Sequence, residues 1–115
     1  MLLRNITVSP VLGSPAPVGL RAHICVTLDG AGKPCRVDCD VAKIGSAAKT
    51  ALQAHAALAT LALQHGAPLA DVVDELRAVA ADPCGDVFDH ETIRSATSLA
   101  DLMGQVLAEA AGGVR

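Results

Sequence analysis

The stretch Leu20-Arg21-Ala22-His23-Ile24-Cys25-Val26-Thr27-Leu28, followed after a short break by Pro34-Cys35-Arg36-Val37-Asp38-Cys39-Asp40-Val41, decides the fold. Both segments alternate, and alternation with a period of two places successive side chains on opposite faces of a strand. In the first, Ile24, Val26 and Leu28 share one face, and Arg21, His23, Cys25 and Thr27 the other. In the second, Cys35, Val37, Cys39 and Val41 oppose Arg36, Asp38 and Asp40. Asp29-Gly30-Ala31-Gly32 between them is turn chemistry, so the pair reads as a β-hairpin. Turning both apolar faces toward one core sets Val26 opposite Cys35 and Ile24 opposite Val37. The same register sets Arg21 against Asp40 and His23 against Asp38 on the solvent face.

The hairpin ends at Ala42-Lys43-Ile44-Gly45-Ser46, where the period changes from strand to helix. Ser46 to His65 is Ala-rich, carries Leu52, Leu58, Leu61 and Leu63, and has no internal Gly or Pro. Ser46 is a suitable N-cap and Gly66 a suitable stop. Pro68 opens a second helix, striped by Leu69, Val72, Val73, Leu76 and Val79, to give an antiparallel helical hairpin. Asp82 to Arg94 reads as a polar loop anchored by Val87 and Ile93. A last helix starts at Ser98, with Asp101 three residues on in a capping-box arrangement, and buries Leu99, Leu102, Met103, Val106 and Leu107. Its end, from Ala110 to Arg115, is expected to fray. Ahead of the hairpin, Leu2 to Ser9 alternates as a strand, and Pro10 to Gly19 is an irregular connection. The expectation is one α+β domain over residues 1–115. A small antiparallel sheet of two or three strands packs against a helical hairpin and a C-terminal helix.

The chain has 115 residues, 51% hydrophobic and 18% charged, which is incompatible with disorder. It has twenty-two Ala, one Phe and no Trp or Tyr, so small aliphatic side chains build the core. Such a core buries little area per residue, and a homo-oligomer is expected to supply the rest. The net charge of -3 argues against non-specific nucleic-acid binding. No apolar run is long enough to span a membrane, and Met1-Leu2-Leu3-Arg4-Asn5 lacks the layout of a signal peptide. A cytoplasmic protein with reduced thiols is expected.

Candidate chemistry is sparse. Cys35 and Cys39 have hook-like spacing, but on a strand they stand about 13 Å apart, too far for one zinc. Cys25 lies on the other face, and these strand thiols read as core residues rather than ligands. Cys84, Asp86, Asp89, His90 and Glu91 are ligand types in one loop, but a solvated loop explains them, so no metal is expected. His55 and His65 are separate helix residues. Ser46-Ala47-Ala48-Lys49 matches an acyl-transfer pattern whose companion motifs are missing. No catalytic residue and no cofactor are assigned. The remaining signal is electrostatic. Lys43 and Lys49 flank a helix N-terminus where Gly45 leaves the backbone open and Ser46 offers a hydroxyl. Lys43, Gly45, Ser46 and Lys49 form a candidate anion or nucleotide-phosphate site. A lone helix N-terminus is a weak motif, so the favoured reading is that Ser46 merely caps and both Lys side chains reach into water.

Ile24-Cys25-Val26-Thr27-Leu28, Lys43-Ile44-Gly45-Ser46 and Leu61-Ala62-Leu63-Gln64-His65-Gly66-Ala67-Pro68-Leu69, in that order, resemble the TSCPD domain over about residues 20–110. That domain lies toward the C-terminus of class II, cobalamin-dependent ribonucleotide reductases and also occurs in short stand-alone proteins. Thr97-Ser98-Leu99-Ala100-Asp101 resembles its Thr-Ser-Cys-Pro-Asp signature, with Leu99 and Ala100 in place of Cys and Pro. The resemblance implies an accessory or interaction domain linked to deoxyribonucleotide supply, not catalytic on its own. The implied partners are a ribonucleotide reductase large subunit and a nucleotide phosphate or nucleic-acid backbone. The residues alone also allow a homodimerising structural domain without ligand, or a small nucleotide-binding module.

Overall fold

The structure, a computed structural model, describes residues 3–42 and 44–112, with Ser46 described in its backbone only. Nine elements follow one another: β1 (Arg4–Val8), β2 (Val11–Leu12), β3 (Leu20–Leu28), β4 (Pro34–Val41), α1 (Ser46–Gln64), α2 (Leu69–Arg77), β5 (Gly85–Phe88), β6 (Ser95–Ala96) and α3 (Leu99–Gly112). The α+β class holds, but the antiparallel sheet has six strands rather than two or three.

The central strand is β3. β4 pairs along one side of it, from Ala22 opposite Val41 to Thr27 opposite Arg36. Along its other side run β1, from Arg4 opposite Leu28 to Val8 opposite Ile24, and then β2, with Val11 opposite Arg21. Both keep one register, so β1 and β2 are a single strand interrupted at Ser9-Pro10. Proline has no N–H to give, but its carbonyl still accepts from Ala22 N–H at 2.9 Å. β5 pairs with β2, and β6 with β5. The expected irregular connection from Pro10 to Gly19 therefore contains a fully buried strand, and the expected polar loop from Asp82 to Arg94 contains β5, with β6 just beyond its end. Val87 and Ile93 anchor that segment as expected.

The face assignment of the hairpin holds: Ile24, Val26, Leu28, Val37, Cys39 and Val41 are all buried. Its register differs by two residues from the expected one, with Val26 opposite Val37 and Ile24 opposite Cys39. A two-residue slip keeps every side chain on its face, so face patterning cannot detect it. Near the turn, Thr27 pairs Arg36 and Leu28 pairs Pro34. Cys35 is the extra residue of this β-bulge, which takes it off the core face and leaves it half-buried. The expected charge pairs are also replaced. Arg21 reaches Asp89 at 2.8 Å, Arg36 reaches Asp38 at 2.9 Å, and Asp40 takes Lys49 at 3.1 Å.

α1 and α3 cover the face carrying Ala22, Ile24, Val26 and Leu28, and α2 packs on the helices. α1 lies on β4 through Leu52, Ala56 and Ala59. It ends in a Schellman turn: Ala67 N–H bonds the Ala62 carbonyl at 3.0 Å, and Gly66 N–H the Leu63 carbonyl at 3.2 Å. Gly66 has φ +87, which a Cβ disfavours. α2 buries Val72, Val73 and Leu76, but its chief partner is α3 rather than α1. Gly104 permits this approach, because a Cβ there would stand 3.0 Å from both Leu76 Cβ and Arg77 Cγ. α3 is enclosed on nearly all sides, with Leu102, Met103 and Leu107 at zero exposure. Instead of fraying from Ala110, it runs to Gly112 with Ala110 buried; residues 113–115 lie outside the described residues.

Candidate functional site

Two places carry the polar chemistry. The first is the entry to α1. Gly45, extended at φ -62 and ψ 154, is the N-cap, and Ser46 is the first helical residue rather than the cap expected of it. Gly45 has no side chain to satisfy the N–H groups of the first turn, and no acidic residue lies in that turn. Of the four candidate anion ligands, Gly45, Ser46 and Lys49 lie in one turn of backbone. Lys43 lies outside the described residues, as does the Ser46 hydroxyl. Lys49 directs its ammonium to Asp40 Oδ1 at 3.1 Å, so the strand beside it meets part of its charge.

The second is a cleft of about 620 Å³ between β1 and α3. Ile6, Val8 and Ser9 form one wall, residues 89–92 the next, and Val106, Glu109 and Ala110 the third. Asp89 holds a left-handed φ of 58, turning the chain away from the sheet, and Arg21 holds its carboxylate. The following His90 is nine-tenths buried. Its Nδ1 accepts from the N–H groups of Thr92 at 3.2 Å and Ile93 at 3.1 Å. Its other ring nitrogen, Nε2, lies 3.7 Å from Glu109 Oε1. Thr92 donates its hydroxyl to the same carboxylate. Lysine and arginine are absent from the lining, against three carboxylates.

Neither place assembles a reaction centre among the described residues. Ser9 Oγ and His23 Nδ1 share a hydrogen bond of 2.9 Å, but both are on the solvent side and no acid holds the second nitrogen of His23. No group of three His, Cys, Asp or Glu among the described residues is placed to hold a metal ion. The thiols expected in the core are there only in part. Cys39 is buried, and burial, then the neighbouring Asp40, pushes its pKa up to about 12. Cys25 and Cys35 are half-buried and Cys84 is exposed. The Cys84 thiol donates to Asp82 at 3.4 Å, and that bond raises its pKa.

Among the described residues, a well-satisfied polar group sits at the start of α3. Ser98 Oγ accepts from Asp101 N–H at 2.8 Å, the forward half of a capping box. Asp101, 7% exposed, accepts from Thr97 N–H at 2.9 Å, Gln105 Nε2 at 3.0 Å and Arg77 Nε at 3.2 Å. One carboxylate thus closes α3 and ties it to the end of α2. Removing it leaves the Thr97 N–H without its acceptor, while the half-exposed Arg77 turns to water, at a cost of about 1–2 kcal/mol.

A family model of the TSCPD domain matches residues 8–111. The chain belongs to the TSCPD-domain family. Curated proteins and solved structures yield no match. The matched span includes Thr97-Ser98-Leu99-Ala100-Asp101, the stretch that resembles the family's Thr-Ser-Cys-Pro-Asp signature. Its Ser and Asp are the capping pair just described. Leu99 and Ala100, standing where the signature has Cys and Pro, are buried in the core. The domain is associated with ribonucleotide reductases. Among the described residues, no helix is long and apolar enough to cross a membrane.

Proposed function

We propose that this TSCPD domain is a non-catalytic accessory or interaction module of ribonucleotide reductase, serving deoxyribonucleotide supply. The observation that carries the reading is the signature itself. Its capping residues Ser98 and Asp101 are retained and bonded, while its thiol position is the buried, unreactive Leu99. What persists at that position is the means of holding α3 in place, which suits a part that binds rather than reacts. The test is co-elution of the purified chain with a class II ribonucleotide reductase large subunit lacking this domain. A stable complex and a change in reduction rate are expected; free elution of both proteins at micromolar concentrations would contradict the reading.

A nucleotide phosphate at Lys43, Gly45, Ser46 and Lys49 belongs to the same proposal. Its support is a helix start without a side-chain cap or a first-turn acid. The Lys49–Asp40 pair weighs against it. Titration with nucleoside triphosphates should show binding that Lys43→Glu and Lys49→Glu abolish. If charge reversal only stabilises the fold, through the helix dipole, the entry is architecture. Self-association into a homodimer has its support in Leu58 and Leu61 on α1, 63% and 52% exposed. Light scattering should find a dimer that Leu58→Glu dissociates; a monomer in the parent protein removes this reading.

A further inference from the structure

We infer that the cleft beside β1 takes an extended, basic peptide segment of a partner protein, added as a new strand to the sheet. Among the described residues β1 pairs with β3 alone, so its other edge is open. Which backbone groups face that edge follows from the ladder. Ala22 N–H bonds the Pro10 carbonyl on the β3 side, and Gly13 N–H bonds the Asp86 carbonyl on the β5 side. Antiparallel pairing alternates strictly, and β1 and β2 share one register. Even-numbered residues therefore bond toward β3, and odd-numbered ones face away. Asn5 and Thr7 turn their N–H and C=O groups to this open edge, with no partner among the described residues.

β5 shows what fills this lane farther along. It lies beside β2, with Val11 opposite Phe88, and would continue beside β1 if it stayed extended. The left-handed turn at Asp89 removes it, and the lane beside β1 is left vacant next to the cleft. An entering strand would meet Ile6 and Val8 along one side and Val106 and Ala110 on α3 beneath, all apolar. Asp89 on the rim is already paired with Arg21, which leaves Glu91 and Glu109 as the net charge of a lining without lysine or arginine, so charge complementarity selects a segment bearing Lys or Arg. Main-chain pairing supplies affinity, and alternate side chains supply selectivity. The inference does not depend on which protein provides the segment.

The probe is a fluorescein-labelled peptide of alternating valine and lysine, with alternating valine and glutamate as control. The valine–lysine peptide is expected to bind, more weakly as salt rises, and to slow amide exchange at Asn5 and Thr7 in the parent protein. Thr7→Pro removes an outward N–H without touching the β3 ladder and should weaken binding about tenfold. Glu91→Gln should weaken it about threefold. The inference is overturned by no binding at millimolar peptide, by equal binding of the glutamate control, or by exchange at Asn5 and Thr7 that the peptide leaves unchanged. It is likewise overturned if the parent self-associates through this edge, seen as a dimer that Thr7→Pro dissociates, because a second copy then owns the lane.

Discussion

The two long edges of the sheet are treated oppositely. At β4 the edge is closed: Thr60 of α1 accepts from Val37 N–H at 3.0 Å and donates to the Val37 carbonyl at 3.2 Å. One hydroxyl thus satisfies both outward groups of a mid-strand residue, and the helix above excludes further strands. At β1 no helix descends on the edge. α3 passes beneath it, residues 89–92 stand beside it, and the gap is the cleft. Open edges are an aggregation hazard that proteins normally cover. Here one edge is covered by a side-chain hydrogen bond and, among the described residues, the other is bare.

The same substitution on each edge breaks or sustains this contrast. Val37→Pro deletes the N–H that Thr60 receives and intrudes on α1; it should cost about 3 kcal/mol in denaturant unfolding. Thr7→Pro, on the open edge, should cost about 1 kcal/mol or less. Equal costs would mean that the edges are alike. Thr60→Val keeps the shape of the side chain but leaves Val37 unbonded beneath the helix. A loss of about 1–2 kcal/mol is expected, lowering Tm by roughly 4–8 °C per kcal/mol.

The closed side should also be dry. Cys39 on β4 is buried, and its pKa is raised from 9.0 to about 12. In the unfolded chain the thiol ionises near pH 9, while in the folded protein it stays protonated. Between those values the native state holds more protons, so stability falls as pH rises from 9 toward about 12. Cys39→Ala should flatten that decline, which unfolding at stepped pH would reveal. In the native protein a thiol reagent should label Cys84 and spare Cys39. The smallest effect is expected at Lys49→Ala, which loses an exposed pair with Asp40 and should change stability by about 0.5 kcal/mol or less.

Much of this architecture is legible in the chain because its signals are local. The alternation of Ile24, Val26 and Leu28 needs only the next strand, and the Ser98–Asp101 cap only three residues. The α1 stop at Gly66 is a single turn. What was not legible depends on distant partners. Arg21 looks across the hairpin in sequence, but its carboxylate is Asp89, 68 residues away. The shift of two residues in register is silent to face patterning. β5 has one buried residue, Val87, and is a strand only because β2 offers it an edge. β2 itself is two residues inside a Pro- and Gly-rich stretch; the adjacent apolar pair Val11-Leu12 was its one available signal. The cleft was hidden for the same reason. Its walls come from residues 6–9, 89–92 and 106–110, and no single segment announces it.

Amide hydrogen exchange at Val37, Asn5 and Thr7 tests the contrast of edges most directly. In the free protein Val37 should be strongly protected, as its N–H is bonded to Thr60 under α1, while Asn5 and Thr7 should exchange nearly as fast as exposed amides. Protection of Thr7 comparable to that of Val37 would show that the β1 edge is already occupied, and would contradict the account.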